Sequence, residues 1–112
     1  MKKTITIILK KLGVPVSFKG YHYLRYGIEL MINDMTLMGA ICKKLYPAIA
    51  KEYNVSWQSV ERGIRNAIEN GWERGDKATK EKVFGVMTKY TPSNAEFIVT
   101  IADYILFESE GK

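Results

Sequence analysis

The side chains able to do chemistry are few in this sequence. There is one histidine, His22, and one cysteine, Cys42. Two such residues cannot make a zinc set or an internal disulfide framework, and a lone thiol fits a reducing compartment. No nucleophile stands beside a base and no glycine-rich phosphate loop occurs, so neither an enzyme nor a bound cofactor is expected. His22 has no catalytic partner and reads as a surface or partly buried side chain. One dense polar group remains, made of Gln58, Ser59, Glu61, Arg62, Arg65, Asn66 and Glu69. These types match the edges of bases. Arginine grips guanine with two hydrogen bonds, glutamine or asparagine does so with adenine, and glutamate accepts from cytosine N4.

The charge points the same way. The 112-residue chain carries 17 Lys and Arg against 12 Asp and Glu, a formal +5 that favours an anionic partner. Residues 1–25 hold Lys2, Lys3, Lys10, Lys11, Lys19 and Arg25 with no acid, whereas residues 91–112 hold Glu96, Asp103, Glu108 and Glu110 against Lys112 alone. Lysines of this kind also serve simply as the wet face of an amphipathic helix. With 46% apolar residues the chain can fold as one domain over 1–112 without disulfides. No apolar stretch approaches the ~20 residues needed to span a bilayer. Lys10 and Lys11 interrupt the apolar run Ile5–Leu9 too early for a secretory signal. A cytoplasmic protein without membrane contact is expected.

The elements that must position the polar group are helices. Ile5, Ile8, Leu9 and Leu12 have helical spacing and Gly13 ends them. A loop over 13–20 leads to a second helix, Tyr21–Asn33, in which Gly27 marks a close helix crossing. Asp34 caps a third helix to about Lys44, with Leu37, Met38 and Ile41 inward and Cys42 a small buried hydrophobe. Pro47 suits a first turn, so a fourth helix starts near Leu45 or Tyr46 and ends at Asn54. Ser56 caps the longest helix, 57–73, which turns Trp57, Val60, Ile64, Ala67, Ile68 and Trp72 to the core. Trp57 and Trp72 are read as core anchors, and the tyrosines of the helices as packed rings with their hydroxyls at the rim. A lysine-bearing stretch over 77–82 precedes a short helix around Val83–Thr88. After Pro92, Ser93 and Glu96 make a capping box for a last helix over about 94–108. The fold class is all-α, a compact bundle of about six helices.

Residues 46–65 read as a helix-turn-helix. Ala50 is the small residue where two helices cross, and Asn54 stands where a left-handed residue is needed. Ile49, Tyr53, Val55 and Val60 are the buried positions. Gly63 is the weak point of the pattern, because a larger apolar residue would pack better there. A recognition helix reads the major groove with residues near its N-terminus, which places Gln58, Glu61, Arg62 and Arg65 against base edges. Lys77, Lys80 and Lys82 follow that helix and serve either phosphate or solvent.

The chain also resembles the C-terminal DNA-binding effector domain of the stage-zero sporulation response regulators. The likeness is carried by Gly13-Val14-Pro15, Lys19-Gly20-Tyr21, Tyr23-Leu24-Arg25, Leu45-Tyr46-Pro47 and Ile49-Ala50-Lys51. It continues with Val60-Glu61-Arg62, Ile64-Arg65, Ala67-Ile68-Glu69, Trp72, Arg74-Gly75, Pro92, Asn94, Glu96-Phe97-Ile98 and Ala102-Asp103. The resemblance implies a six-helix domain that binds short promoter boxes in duplex DNA, contacts RNA polymerase sigma factor and pairs weakly on DNA. It implies that Glu61 and Arg62 read bases, that Arg65 is a neighbouring contact, and that Lys19 and Arg25 lie on the DNA backbone. A region near Lys82–Met87 resembles the sigma-contacting helix. Ser59 stands where the family places a base-reading arginine and Asn66 where it has histidine, so both are expected at the periphery of the interface. Trp57-Gln58 replaces small residues, and Gln58 offers a substitute base contact. Nothing in the chain reads as the receiver domain that normally precedes this effector. The alternative is a helical protein-interaction module that kept the fold and lost specific DNA binding, a reading favoured by Ser59 and the acidic last helix.

Overall fold

The computed structural model describes residues 2–85 and 90–110. It is all-helical, with no strand among the described residues. Six α-helices follow in chain order: α1 (Lys2–Lys11), α2 (Lys19–Asn33), α3 (Tyr46–Tyr53), α4 (Trp57–Gly71), α5 (Lys77–Phe84) and α6 (Asn94–Glu110). Among the described residues no helix is long and apolar enough to cross a membrane.

The core forms where the apolar stripes of these helices meet. Ile5, Leu9, Leu24, Ile28, Met31, Ile49, Ile64, Ile68, Phe97, Ile98 and Ile101 are all essentially inaccessible. Burying an aliphatic or aromatic side chain contributes about 1.5–3 kcal/mol relative to leaving it in water, so this cluster is the main source of stability. An edge-to-face contact between Trp72 and Phe84, centroids 5.1 Å apart, and one between Trp72 and Phe97 at 6.2 Å extend the core under α5 and α6. Trp72 is therefore the core anchor its spacing predicts.

Two crossings are closer than side chains allow. A Cβ on Gly20 would lie 2.0 Å from the Gly63 carbonyl oxygen, so α2 and α4 meet backbone to backbone at this pair. Gly63 is thus the residue that lets the helices touch, not a defect of the pattern: a Cβ there would already press on the Tyr23 ring at 3.1 Å. At Gly27, expected at a close crossing, an added Cβ would lie 2.9 Å from the Ile49 δ-carbon, so α2 also comes close to α3 there, against a side-chain end rather than backbone. The second close approach is at Gly13 and Gly71. Gly13 has φ +86°, and a Cβ on either residue would lie 2.3 Å from the other's carbonyl oxygen. The Asp76 amide donates to the Lys11 carbonyl at 2.7 Å nearby, which clamps the end of α1 to the start of α5.

Residues 34–45 depart from the single helix expected. Asp34 does act as a cap, accepting from the Thr36 amide at 3.1 Å, but the turn it starts is a 3-10 helix, Met35–Gly39. A break at Ala40 and a π-helical turn, Ile41–Leu45, follow. Neither winding has the 3.6-residue repeat on which the expectation rested. Met38 consequently swings out to 58% exposure, Leu37 and Ile41 pack only in part, and Cys42 is exposed rather than buried.

Of the helix expected around Val83–Thr88 only Val83 and Phe84 belong to α5, which otherwise lies on the 77–82 stretch expected to precede it, while residues 86–88 lie outside the described residues. Asp76 accepts from the Thr79 amide at 3.0 Å and starts α5 at Lys77, and Gly85 at φ +82° ends it. Residues 86–89, with part of the region resembling a sigma contact, lie outside the described residues. The capping box is formed: the Ser93 hydroxyl accepts from the Glu96 amide at 3.1 Å, and the Glu96 carboxylate accepts from the Ser93 amide at 2.9 Å.

Candidate nucleic-acid interface

The interface is built on α3, a tight turn and α4. Pro47 sits in the first turn of α3, where its missing N–H costs nothing. Asn54 ends that helix in the left-handed conformation, φ 55° and ψ 50°, and the Val55 amide then donates back to the Ala50 carbonyl at 3.0 Å. Ser56 opens α4, its hydroxyl oxygen accepting from the Ser59 amide at 3.1 Å. Ala50, Ile49 and Val60 are buried between the helices, with Tyr53 and Val55 partly so. This is the geometry a helix-turn-helix requires.

The outward row of α4 contains Gln58, Ser59, Arg62, Arg65 and Asn66, all exposed, with Glu61 half-buried at its flank. Ser59 is partly committed to the cap, since its hydroxyl accepts from the Ser56 hydroxyl at 2.9 Å. The Arg65 guanidinium pairs with the Glu61 carboxylate one turn away. An exposed pair at this spacing contributes about 0.3–0.5 kcal/mol, whereas a bidentate arginine–guanine contact discriminates by about 1–3 kcal/mol. The pair is weak enough to orient Arg65 without locking it.

Trp57 is not the core anchor expected. As the first residue of α4 it is 44% exposed, whereas Val60 and Ile64 on the same helix are fully buried. The expectation treated the helix face as continuous and ignored its end.

The peripheral candidates fall into separate places. Lys19, at the start of α2, shares a shallow hollow with His22, Tyr23, Tyr53 and Val55, beside the turn. His22 is half-buried, and its carbonyl accepts from the Tyr53 hydroxyl at 3.3 Å. Arg25 lies over the Tyr21 ring at 5.9 Å, on the side of α2 that faces Glu52 and the start of α1. Lys77, Lys80 and Lys82 are on α5, past the far end of α4, which at 15 residues is about 22 Å long. Lys77 and Lys82 are exposed, while the Lys80 ammonium is folded over the Trp72 ring at 5.1 Å. Lys10 and Lys11, part of the basic front, are brought to this same end by the clamp at Asp76.

Asn94, which carries part of the family resemblance, is a positioning residue. Its side-chain amide donates to the Glu61 carbonyl at 2.9 Å and to the Tyr46 hydroxyl at 3.2 Å, tying α6, α4 and α3 together. Burial pushes the Tyr46 hydroxyl above its ordinary pKa, although the Asn94 hydrogen bond opposes this. The tie spans 33 and 48 residues of sequence, so no local pattern announces it.

A small all-helical domain with this turn and this exposed row has an arrangement consistent with a helix-turn-helix. A family model described as sporulation initiation factor Spo0A C terminal matches residues 5–105, nearly the whole chain. The chain belongs to that family, whose members are DNA-binding effector domains of sporulation regulators.

Proposed function

We propose that the chain is a cytoplasmic, sequence-specific transcription regulator that lays the first turns of α4 in the major groove of promoter boxes. Gln58, Glu61, Arg62 and Arg65 read base edges. Ser59 and Asn66 flank them, and Lys19, Arg25, Lys77, Lys80 and Lys82 serve the phosphate backbone. RNA polymerase sigma factor is the protein partner, and copies pair weakly on DNA.

The observation that carries this reading is the exposed polar row on a helix whose opposite face is held by the core and whose start is fixed by the left-handed Asn54. The test is selection of a box from a randomised duplex library, followed by fluorescence anisotropy on the box and on a scrambled duplex at two salt concentrations. Expected is tighter binding to the box, weakening with a log–log salt slope of about −0.9 per phosphate neutralised. Arg62→Ala should cost about 1–3 kcal/mol on the box and little on the scrambled duplex. Equal loss on both removes Arg62 from base reading. Absence of binding to any duplex overturns the proposal in favour of a protein-interaction module.

A further inference from the structure

Trp57 is a large aromatic exposed at the tip of the helix assigned to base reading. It is 44% exposed, against 4% for Trp72. Helical spacing places Trp57, Glu61 and Arg65 along one flank of α4, each four residues from the next, with Trp57 foremost. Side chains of a helix lean toward its N-terminus, so the indole projects ahead of the first turn, past Ser56 and beside Gln58. A groove approached by that turn meets the indole first.

An indole has a broad apolar face and one N–H donor, with no acceptor. Among the groups that bases present in the major groove, the thymine C5-methyl is the apolar one. We propose that Trp57 is a specificity-determining residue that packs its indole against a thymine methyl at one edge of the box. This inference rests on the reading of α4 as the recognition helix and adds a base preference that the hydrogen-bonding residues do not supply.

Deoxyuridine scanning tests it, because replacing thymine by uracil removes the methyl and leaves every hydrogen-bonding atom in place. Each thymine of the selected box is replaced in turn, and binding of the wild-type chain and of Trp57→Ala is measured by anisotropy. The expected result is one step where the replacement weakens the wild type about fourfold, the worth of one buried methyl-sized group. Trp57→Ala should bind the unmodified box about tenfold more weakly, be indifferent to uracil at that step, and melt like the wild type.

Uracil replacements that affect both proteins equally, or a selected box without thymine, overturn the inference. So does a Trp57→Ala chain that binds the box as well as wild type. If Arg62→Ala retains its box-specific defect in those cases, recognition by α4 stands and only the role of Trp57 falls. If no box is selected at all, both fall together.

Discussion

Gly20→Ala is the sharpest test of how α4 is held. The added Cβ would lie 2.0 Å from the Gly63 oxygen, 2.7 Å from the Gly63 carbonyl carbon and 2.8 Å from the Ala67 Cβ. Ordinary contact begins near 3.4 Å, so α2 and α4 must separate by about 1.4 Å at the crossing. Alanine has no rotamer with which to evade this, and two of the three obstacles are backbone. Overpacking of a well-packed core costs about 1–3 kcal/mol. The helix-propensity gain of alanine over glycine is at most about 1 kcal/mol, and less at the second residue of a helix. The net expectation is a loss of about 2 kcal/mol, or a melting temperature about 8 °C lower for a domain of this size. Urea unfolding should show a lower midpoint at unchanged slope. Gly39→Ala is the matched control, since its Cβ would meet nothing within 4 Å, and it should be neutral or slightly stabilising. A Gly20→Ala chain as stable as wild type would refute the claim that a backbone contact sets the spacing of these helices.

Three further outcomes are expected. Asn54→Gly should hold or slightly raise the melting temperature because glycine adopts φ 55° freely, whereas Asn54→Val should lose about 1–2 kcal/mol by chemical denaturation. Asn94→Ala removes both donors to Glu61 and Tyr46 and should cost about 1–2 kcal/mol, read as a lower urea midpoint, with weaker binding to the selected box. The carboxyls of Asp34, Asp76 and Glu96 are held below their ordinary pKa by hydrogen bonds to Thr36, Thr79 and Ser93. Their stabilisation is present above the ordinary carboxylate range and is lost as pH falls through the lowered values. Thermal melts from neutral to acid pH should therefore fall less for an Asp34→Ala, Asp76→Ala, Glu96→Ala chain than for wild type.

What was legible in the sequence follows from how local each signal is. The turn at Asn54, the cap at Ser56 and the box at Ser93 and Glu96 are specified within four residues, and each forms as expected. The stripe of α4 needed only its own period, and Val60, Ile64, Ala67 and Ile68 are buried. Residues 34–45 defeated the same reasoning because their apolar spacing suits an α-helix, while the break at Ala40 yields two other windings. Apolar residues are sparse in 77–82, so periodicity hid α5; the spacing of Asp76 and Thr79 was the available clue. Gly63 and Asn94 depend on partners distant in sequence, Gly20 in one case and Tyr46 and Glu61 in the other. Their roles are properties of the assembled bundle.

The glycine contact between α2 and α4 divides labour on the helix proposed to read DNA. Its pose is set from behind, by main chain against main chain at Gly20 and Gly63 and by the buried Val60, Ile64 and Ala67. The outward residues Gln58, Arg62 and Asn66 are exposed and carry little of that structural duty. On the proposed reading, exchanging them changes what the helix recognises while the scaffold stays as it is. If α4 reads DNA as proposed, target choice can drift by single exposed substitutions without passing through unfolded intermediates, and a designer can retune it without repacking the core.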